Sequence, residues 1–231
     1  MIYVVGHRGA AGVLPENTIR GFQYAIDLGV DYVECDVHLT RDQQLVVMHD
    51  ENVDRTTNGS GPIRDLDFAA IRALDAGDGT QVPTLDEVLA TVDGKVKLLC
   101  ELKGEGVEEK TVHAVESHSM EDEVIFTSFY MDRLERVRNR SAHLQLGATF
   151  ADPKEEDITR ALDLRPTAVG IYYKNLCFRL VEQVLDAGLE LRAWNPDTLR
   201  EQQAMIALGV TGVSTNRPDI LMEYLHKDRE V

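Results

Sequence analysis

The chain of 231 residues lacks the features that would tie it to a membrane, an oxidising compartment or a nucleic acid. Its three cysteines, Cys35, Cys100 and Cys177, are odd in number and match no zinc or disulfide spacing, which fits a reducing compartment. No apolar run approaches the roughly 20 residues of a membrane-spanning helix. The opening run ends at Val5, where Gly6, His7 and Arg8 follow, so neither a membrane segment nor a signal peptide is expected and the protein reads as cytoplasmic. No amphipathic or aromatic-basic stretch marks a lipid-binding surface. Basic residues are outnumbered, 24 Lys and Arg against 40 Asp and Glu, for a formal charge of −16. That excludes a basic nucleic-acid binder, and any phosphate-bearing ligand would need local positive charge built against the global field. Proline-rich linkers, low-complexity tracts and charge blocks are missing too, so residues 1–231 read as one domain.

What is present is a repeating pattern, with 43% of residues hydrophobic. Short β-branched or apolar runs at 2–5, 32–37, 96–101, 124–127, 145–150, 168–172, 190–194 and 210–214 alternate with helically spaced stretches such as 18–28, 107–118, 131–140, 178–187 and 197–208. Gly29, Gly188 and Gly209 each sit between a helical stretch and a strand, where a left-handed residue ends a helix. Thr84 to Glu87 spells a capping box, and Asn195-Pro196 and Asn216 read as helix N-caps. Eight βα units fit an α/β fold of the (β/α)8 barrel type, with a doubly wound sheet as the alternative. Residues 50–83 break the rhythm with turn chemistry around Asn58 to Pro62 and Ala76 to Gly79 and a helical pattern only at 68–74. They form an insertion after the second strand and its hairpin partner at 45–48. The insertion is either a cap over the C-terminal face, where active sites of such barrels sit, or a surface excursion.

Acidic residues occur inside strands. Glu34 and Asp36 lie two apart, so a period of two puts both carboxylates on one face and Val33, Cys35 and Val37 on the other. Glu101 interrupts another apolar run. Like charges this close inside apolar strands demand a cation or a raised pKa. All-oxygen ligands favour Mg²⁺ or Ca²⁺ over zinc, and the other solution is pairing with Arg8 or Lys103. Cys35 and Cys100 have the opposite parity and read as inert buried thiols. His7 and His49 each directly follow an apolar run, which places both at C-terminal strand ends beside the acids, while His38 could join them or be a polar strand-end residue. Two imidazoles at one rim allow one to take a proton while the other gives one, the division of labour that phosphodiester cleavage needs. Arg8 offers a guanidinium fork and Lys103 a point charge for phosphate.

His7-Arg8-Gly9 with Pro15-Glu16-Asn17-Thr18, then Glu34-Cys35-Asp36-Val37, Met48-His49-Asp50 and Glu101-Leu102-Lys103 together resemble the glycerophosphodiester phosphodiesterase family in order and spacing. Arg55-Thr56-Thr57, Gly59 to Gly61, Leu74 to Gly77, Pro83 to Leu85, Ser128-Phe129 and Trp194 extend the resemblance over nearly the whole chain. It implies a (β/α)8 barrel that hydrolyses glycerophosphodiesters to glycerol 3-phosphate and an alcohol with a divalent cation. His7 and His49 would be the acid/base pair and Glu34, Asp36 and Glu101 the metal ligands. Arg8 and Lys103 would hold phosphate, Trp194 would line the glycerol side, Glu16 and Asn17 would order the first loop, and Asp50 would support His49. Asn216 and Asn195 depart from the Asp and Thr usual in that family. Alternatives are a non-catalytic barrel that binds phosphometabolites or a metal, and a phospholipase-type enzyme on a lipid substrate.

Overall fold

A computed structural model describes residues 2–227. Its strands are β1 (Tyr3–Gly6), β2 (Tyr32–Leu39), β3 (Leu45–Val47), β4 (Lys97–Leu102), β5 (Val124–Ser128), β6 (Gln145–Phe150), β7 (Ala168–Tyr172), β8 (Glu190–Trp194) and β9 (Gly212–Thr215). All but β3 run parallel in the order β1-β2-β4-β5-β6-β7-β8-β9, and β9 pairs back to β1, so the sheet closes into the expected eight-stranded barrel. The helices are α1 (Ile19–Asp27), α2 (Phe68–Arg72), α3 (Leu85–Val92), α4 (Glu108–Ser117), α5 (Met131–Arg140), α6 (Glu155–Leu162), α7 (Phe178–Asp186), α8 (Leu199–Leu208) and α9 (Pro218–Lys227).

Strand parity builds the barrel. Val33, Cys35 and Val37 of β2 and Leu98, Cys100 and Leu102 of β4 point outward and are fully buried with Phe22 of α1 and Leu89 of α3 in the main core. Helix α3 buries Leu85, Val88, Leu89 and Val92, the spacing of one helical face. Each such side chain contributes about 1.5–3 kcal/mol when withdrawn from water. Inside the barrel, Val5, Leu99 and Ile125 pack with Tyr3 and Tyr32 into an apolar plug. The other inward residues toward the C-terminal ends of β2 and β4 are the acids.

Strand β3 is the hairpin partner expected at 45–48, outside the barrel wall: β2 outruns its neighbours, and β3 folds back antiparallel on its last residues, Val37 against Val47 and Leu39 against Leu45. Met48 N–H then donates to the Asp36 carbonyl at 2.9 Å. His7 therefore leaves the end of a barrel strand, and His49 is brought to the rim by the returning hairpin. The caps differ from the sequence reading. Helix α8 begins at Leu199 with Thr198 and Glu201 as its capping box, and α9 begins at Pro218, so Asn195 and Asn216 stay free for contacts at the rim. The Thr84–Glu87 box is formed as expected, and Gly29, Gly188 and Gly209 take φ of 78°, 77° and 98°.

The 50–83 insertion has its own small core of Val53, Ile63, Ile71, Ala76 and Val82 under Val46 and Met48 of the hairpin. Its helix α2 stops at Arg72, whose guanidinium clasps Glu87 of α3.

Candidate active site

Register places Asp36 of β2 directly beside Glu101 of β4. Glu34, Asp36 and Glu101 can each bring one oxygen within 4.8 Å of the others. Glu34 and Asp36 are 3% and 1% exposed, which in water-excluded surroundings makes three like charges costly. Burial, reinforced by the charges of Asp36 and Glu101, pushes the Glu34 carboxyl well above its ordinary range. Burial and Asp36 likewise push Glu101 up, against the pull of Lys103.

Basic groups answer part of this charge. The Arg8 backbone N–H donates to Glu34 Oε2 at 2.9 Å, and the guanidinium Nε of Arg8 stands 3.5 Å from Asp36 Oδ2. Asn17 Nδ2 donates to the same Asp36 oxygen at 2.9 Å. Lys103 Nζ lies 3.1 Å from Glu101 Oε1 and 3.7 Å from Asp36 Oδ1. Glu34 Oε1 and Asp36 Oδ1 nevertheless have no hydrogen-bond partner although both are buried. Two carboxylate oxygens without hydrogen-bond partners in an all-oxygen cluster could accept a hard divalent cation.

The two histidines are held differently. His49 Nδ1 lies 2.6 Å from Asp50 Oδ1, and its Nε2 accepts from Lys103 Nζ at 2.9 Å, so its proton sits on Nδ1. Burial lowers the His49 pKa, while Asp36 and the Asp50 hydrogen bond oppose the change. Asp50 is itself held far below the usual carboxylate range by the Arg55 fork and His49. His7 Nδ1 lies 2.6 Å from Asn216 Oδ1. Asn216 Nδ2 donates to Asp197 Oδ2 at 2.7 Å, which turns the amide oxygen toward the ring and leaves the His7 proton on Nδ1. His7 Nε2 accepts from Asn195 Nδ2 at 3.3 Å and lies 3.8 Å from Glu34 Oε2. Burial, aided by the Arg8 charge, drives the His7 pKa down to about 3.

A cavity of about 160 Å³ opens between these groups. It is lined by His7, Arg8, Glu34, His49, Glu101, Lys103 and Trp194, the acid/base, phosphate, glycerol and metal candidates of the sequence without Asp36, and also by Phe129, Thr149, Arg192 and Asn195. Trp194 stacks edge-on against Phe129 at 5.5 Å and packs on Tyr172 at 5.0 Å, forming an aromatic wall. Lys103 Nζ stands 5.6 Å above the Phe129 ring. The Trp194–Asn195 peptide is cis. His38 does not reach the cavity; its Nε2–H donates to the His49 carbonyl at 3.2 Å and so positions that residue from behind.

A second tier joins the insertion to the first loop. Arg55 donates to Asp50 at 2.6 and 2.9 Å and to Glu16 at 2.9 and 2.7 Å, and Glu16 also accepts from Arg8 Nη1 at 2.9 Å. Asn17 donates its backbone N–H to the Arg8 carbonyl at 3.0 Å, which closes the first loop under the site. Sequence reasoning missed Arg192, Thr149 and the contacts of Asn216. Parity with Trp194 was a usable signal for Arg192, whereas nothing local couples Asn216 to a histidine 209 positions away.

The family model for the glycerophosphoryl diester phosphodiesterase family matches residues 7–220. A glycerophosphodiester phosphodiesterase from Caldanaerobacter subterraneus subsp. tengcongensis is 36% identical over 97% of this chain and 98% of its own length. Among solved structures, a putative glycerophosphoryl diester phosphodiesterase from Agrobacterium tumefaciens superimposes with a TM-score of 0.90 at 26% identity, covering 100% of this chain and 99% of that one. An Oleispira antarctica phosphodiesterase in complex with the product sn-glycerol-3-phosphate gives 0.86 at 26% identity, covering 94% and 93%.

Proposed function

This chain belongs to the glycerophosphoryl diester phosphodiesterase family, and we propose that it cleaves its substrates by proton transfers divided between His7 and His49. The overall reaction is hydrolysis of a glycerophosphodiester to glycerol 3-phosphate and an alcohol. The observation that carries the division of roles is the difference between the two Nδ1 partners, a carboxylate for His49 and an amide for His7.

An imidazole facing a carboxylate can hold a second proton, and one facing an amide in a buried site beside Arg8 resists it. His49 thus has the higher proton affinity and serves as general acid to the leaving alkoxide. His7, neutral with its Nε2 lone pair engaged only by the long 3.3 Å contact from Asn195, serves as general base to the attacking hydroxyl once that contact gives way. In the resting site Lys103 donates to His49 Nε2; an arriving phosphate offers Lys103 a stronger acceptor and releases that nitrogen to carry a proton. Arg8 and Lys103 direct their remaining donors to the phosphate, and Trp194 with Phe129 gives the glycerol carbons an apolar wall.

Glu34, Asp36 and Glu101 are the residues that would hold a hard divalent cation, Mg²⁺ or Ca²⁺, and when bound it would neutralise charge on the non-bridging oxygens. The 50–83 segment is a cap tied to the site through Arg55, which spans Asp50 and Glu16. A small-molecule diester is the substrate class that fits the 160 Å³ cavity, and no helix among the described residues is long and apolar enough to cross a membrane.

Incubation with glycerophosphocholine followed by ³¹P NMR tests the reading. One equivalent of glycerol 3-phosphate per choline released is the expected result; absence of turnover with Mg²⁺ and with Ca²⁺ would contradict it.

A further inference from the structure

Three cations line the cavity: Arg8, Lys103 and Arg192. The first two already face carboxylates, Glu16 and Asp36 for Arg8 and Glu101 and Asp36 for Lys103. Arg192, on the inward face of β8 with Trp194, is 6% exposed and has neither a hydrogen bond nor a carboxylate within ion-pairing distance among the described residues. Its charge acts through space on Tyr3, where it is the main influence opposing burial, and less on His7 and Glu101. A guanidinium withdrawn from water without a counter-ion is strongly unfavourable, so its place in the barrel calls for an anion that the chain does not supply.

Its register partner on β7, Gly170, clears room for that side chain, while the partner on β9, Gly212, makes room for the Tyr3 ring. A Cβ on Gly170 would lie 2.8 Å from Arg192 Nη2 and 3.4 Å from Cζ and Nε, so the guanidinium lies flat on bare backbone. Thr149, next in register beyond Gly170, and Trp194, two residues along β8, line the same cavity. Thr149 Oγ1 and Trp194 Nε1 are buried and also without hydrogen-bond partners. Unanswered donors thus gather on the wall formed by β6 and β8, across the barrel from the acids on β2 and β4.

We infer that Arg192 binds the phosphate of the substrate and, more strongly, of the product, with the substrate itself bringing the missing counter-ion. The inference rests on the phosphodiesterase reading and adds a third cation to that site. A phosphodiester carries one negative charge, and a phosphomonoester such as glycerol 3-phosphate carries close to two at neutral pH. The contact therefore tightens as the reaction proceeds, and Arg192 governs how firmly product is retained. The planar fork matters as well as the charge, since it presents paired donors to two oxygens.

The test titrates glycerol 3-phosphate into the full chain by calorimetry at fixed Mg²⁺, beside initial rates on glycerophosphocholine. Arg192→Gln should bind glycerol 3-phosphate about ten- to a hundredfold more weakly, the range expected for losing a charged hydrogen bond. KM should rise by a smaller factor, and Mg²⁺ affinity should be unchanged. Arg192→Lys should fall between Arg192→Gln and the parent. Gly170→Ala retains the charge but displaces the guanidinium, a flexible end that can move without unfolding the strand, and should weaken product binding in the same direction; it decides the matter if Arg192→Gln does not fold. Product affinity unchanged in these variants, or Mg²⁺ affinity raised in Arg192→Gln with product affinity constant, would overturn the inference and make Arg192 a distant counter-charge to the acids. A parent protein without turnover would remove the phosphodiesterase reading instead, and the same titrations would still decide whether Arg192 binds the phosphate.

Discussion

Lys103 Nζ donates to His49 Nε2 at 2.9 Å, and this contact ties one cation of the cavity wall to one of its two histidines. Burial lowers the His49 pKa, and the charges of Arg8 and then Lys103 add to the lowering. Lys103→Met removes the Lys103 share, so His49 holds its proton to higher pH. With His49 as general acid, the basic limb of the kcat/KM profile on glycerophosphocholine should move upward while its plateau falls at least tenfold. A basic limb that stays put or moves down would mean that His49 is not the acid.

Asn216 gives the complementary test. It keeps His7 beside a neutral amide, and burial together with Arg8 lowers the His7 pKa to about 3. Asn216→Asp puts a carboxylate in its place, which favours the imidazolium and raises the pKa by about 1–3 units. Since a base must be deprotonated, the acid limb of kcat/KM should shift to higher pH by a similar amount. An unchanged acid limb would separate Asn216 from the proton chemistry.

Glu34 is predicted to oppose stability. Its folded pKa lies above the unfolded one, so the native state binds more protons in that window and stability falls as pH rises through it. In EDTA, Glu34→Gln should stabilise the fold by about 1–3 kcal/mol at pH 8, or about 2–4 °C per kcal/mol in Tm for a chain of this size. The gain should vanish below the ordinary carboxylate range, where Glu34 is protonated in both states. Added Mg²⁺ or Ca²⁺ should raise the Tm of the parent and leave the variant nearly unmoved. Thermal scans at pH 4 and pH 8 check all three statements, and a variant less stable than the parent at pH 8 would show that the acids are already compensated.

Arg55 should matter to activity more than to the fold. Its fork spans Asp50 and Glu16, joining the 50–83 segment to the first loop. Arg55→Met should lower kcat about tenfold through the loosened His49–Asp50 pair, while the Tm changes by only a few degrees because the guanidinium is half exposed. Full activity in Arg55→Met would leave the segment a surface excursion.

Much of this site was legible because charge inside an apolar strand is rare and strand parity is strict. Glu34, Asp36 and Glu101 fall on one face and their neighbours Cys35 and Cys100 on the other, as the period of two requires. Arg192 has the same inward parity, but a single basic residue in a five-residue strand also fits a solvent-facing position, and only closure of the barrel separates the two. Asn195 and Asn216 read as helix caps because local chemistry favours that use of Asn. Their actual contacts with His7 cross most of the chain, and the capping box of Thr198 and Glu201 makes a cap at Asn195 unnecessary. The hairpin strand before His49 was legible, but the extension of β2 to Leu39 was not, because that length is set by tertiary pairing with β3.

Division of proton transfer between His7 and His49 makes the two variants respond differently to the leaving group. His7→Ala and His49→Ala should each lose about a hundredfold to ten-thousandfold in kcat on glycerophosphocholine. On a glycerophosphodiester with a p-nitrophenolate leaving group, which departs without a proton, His49→Ala should recover most of its rate and His7→Ala should not. Recovery of both variants, of neither, or of His7→Ala alone would contradict the claim.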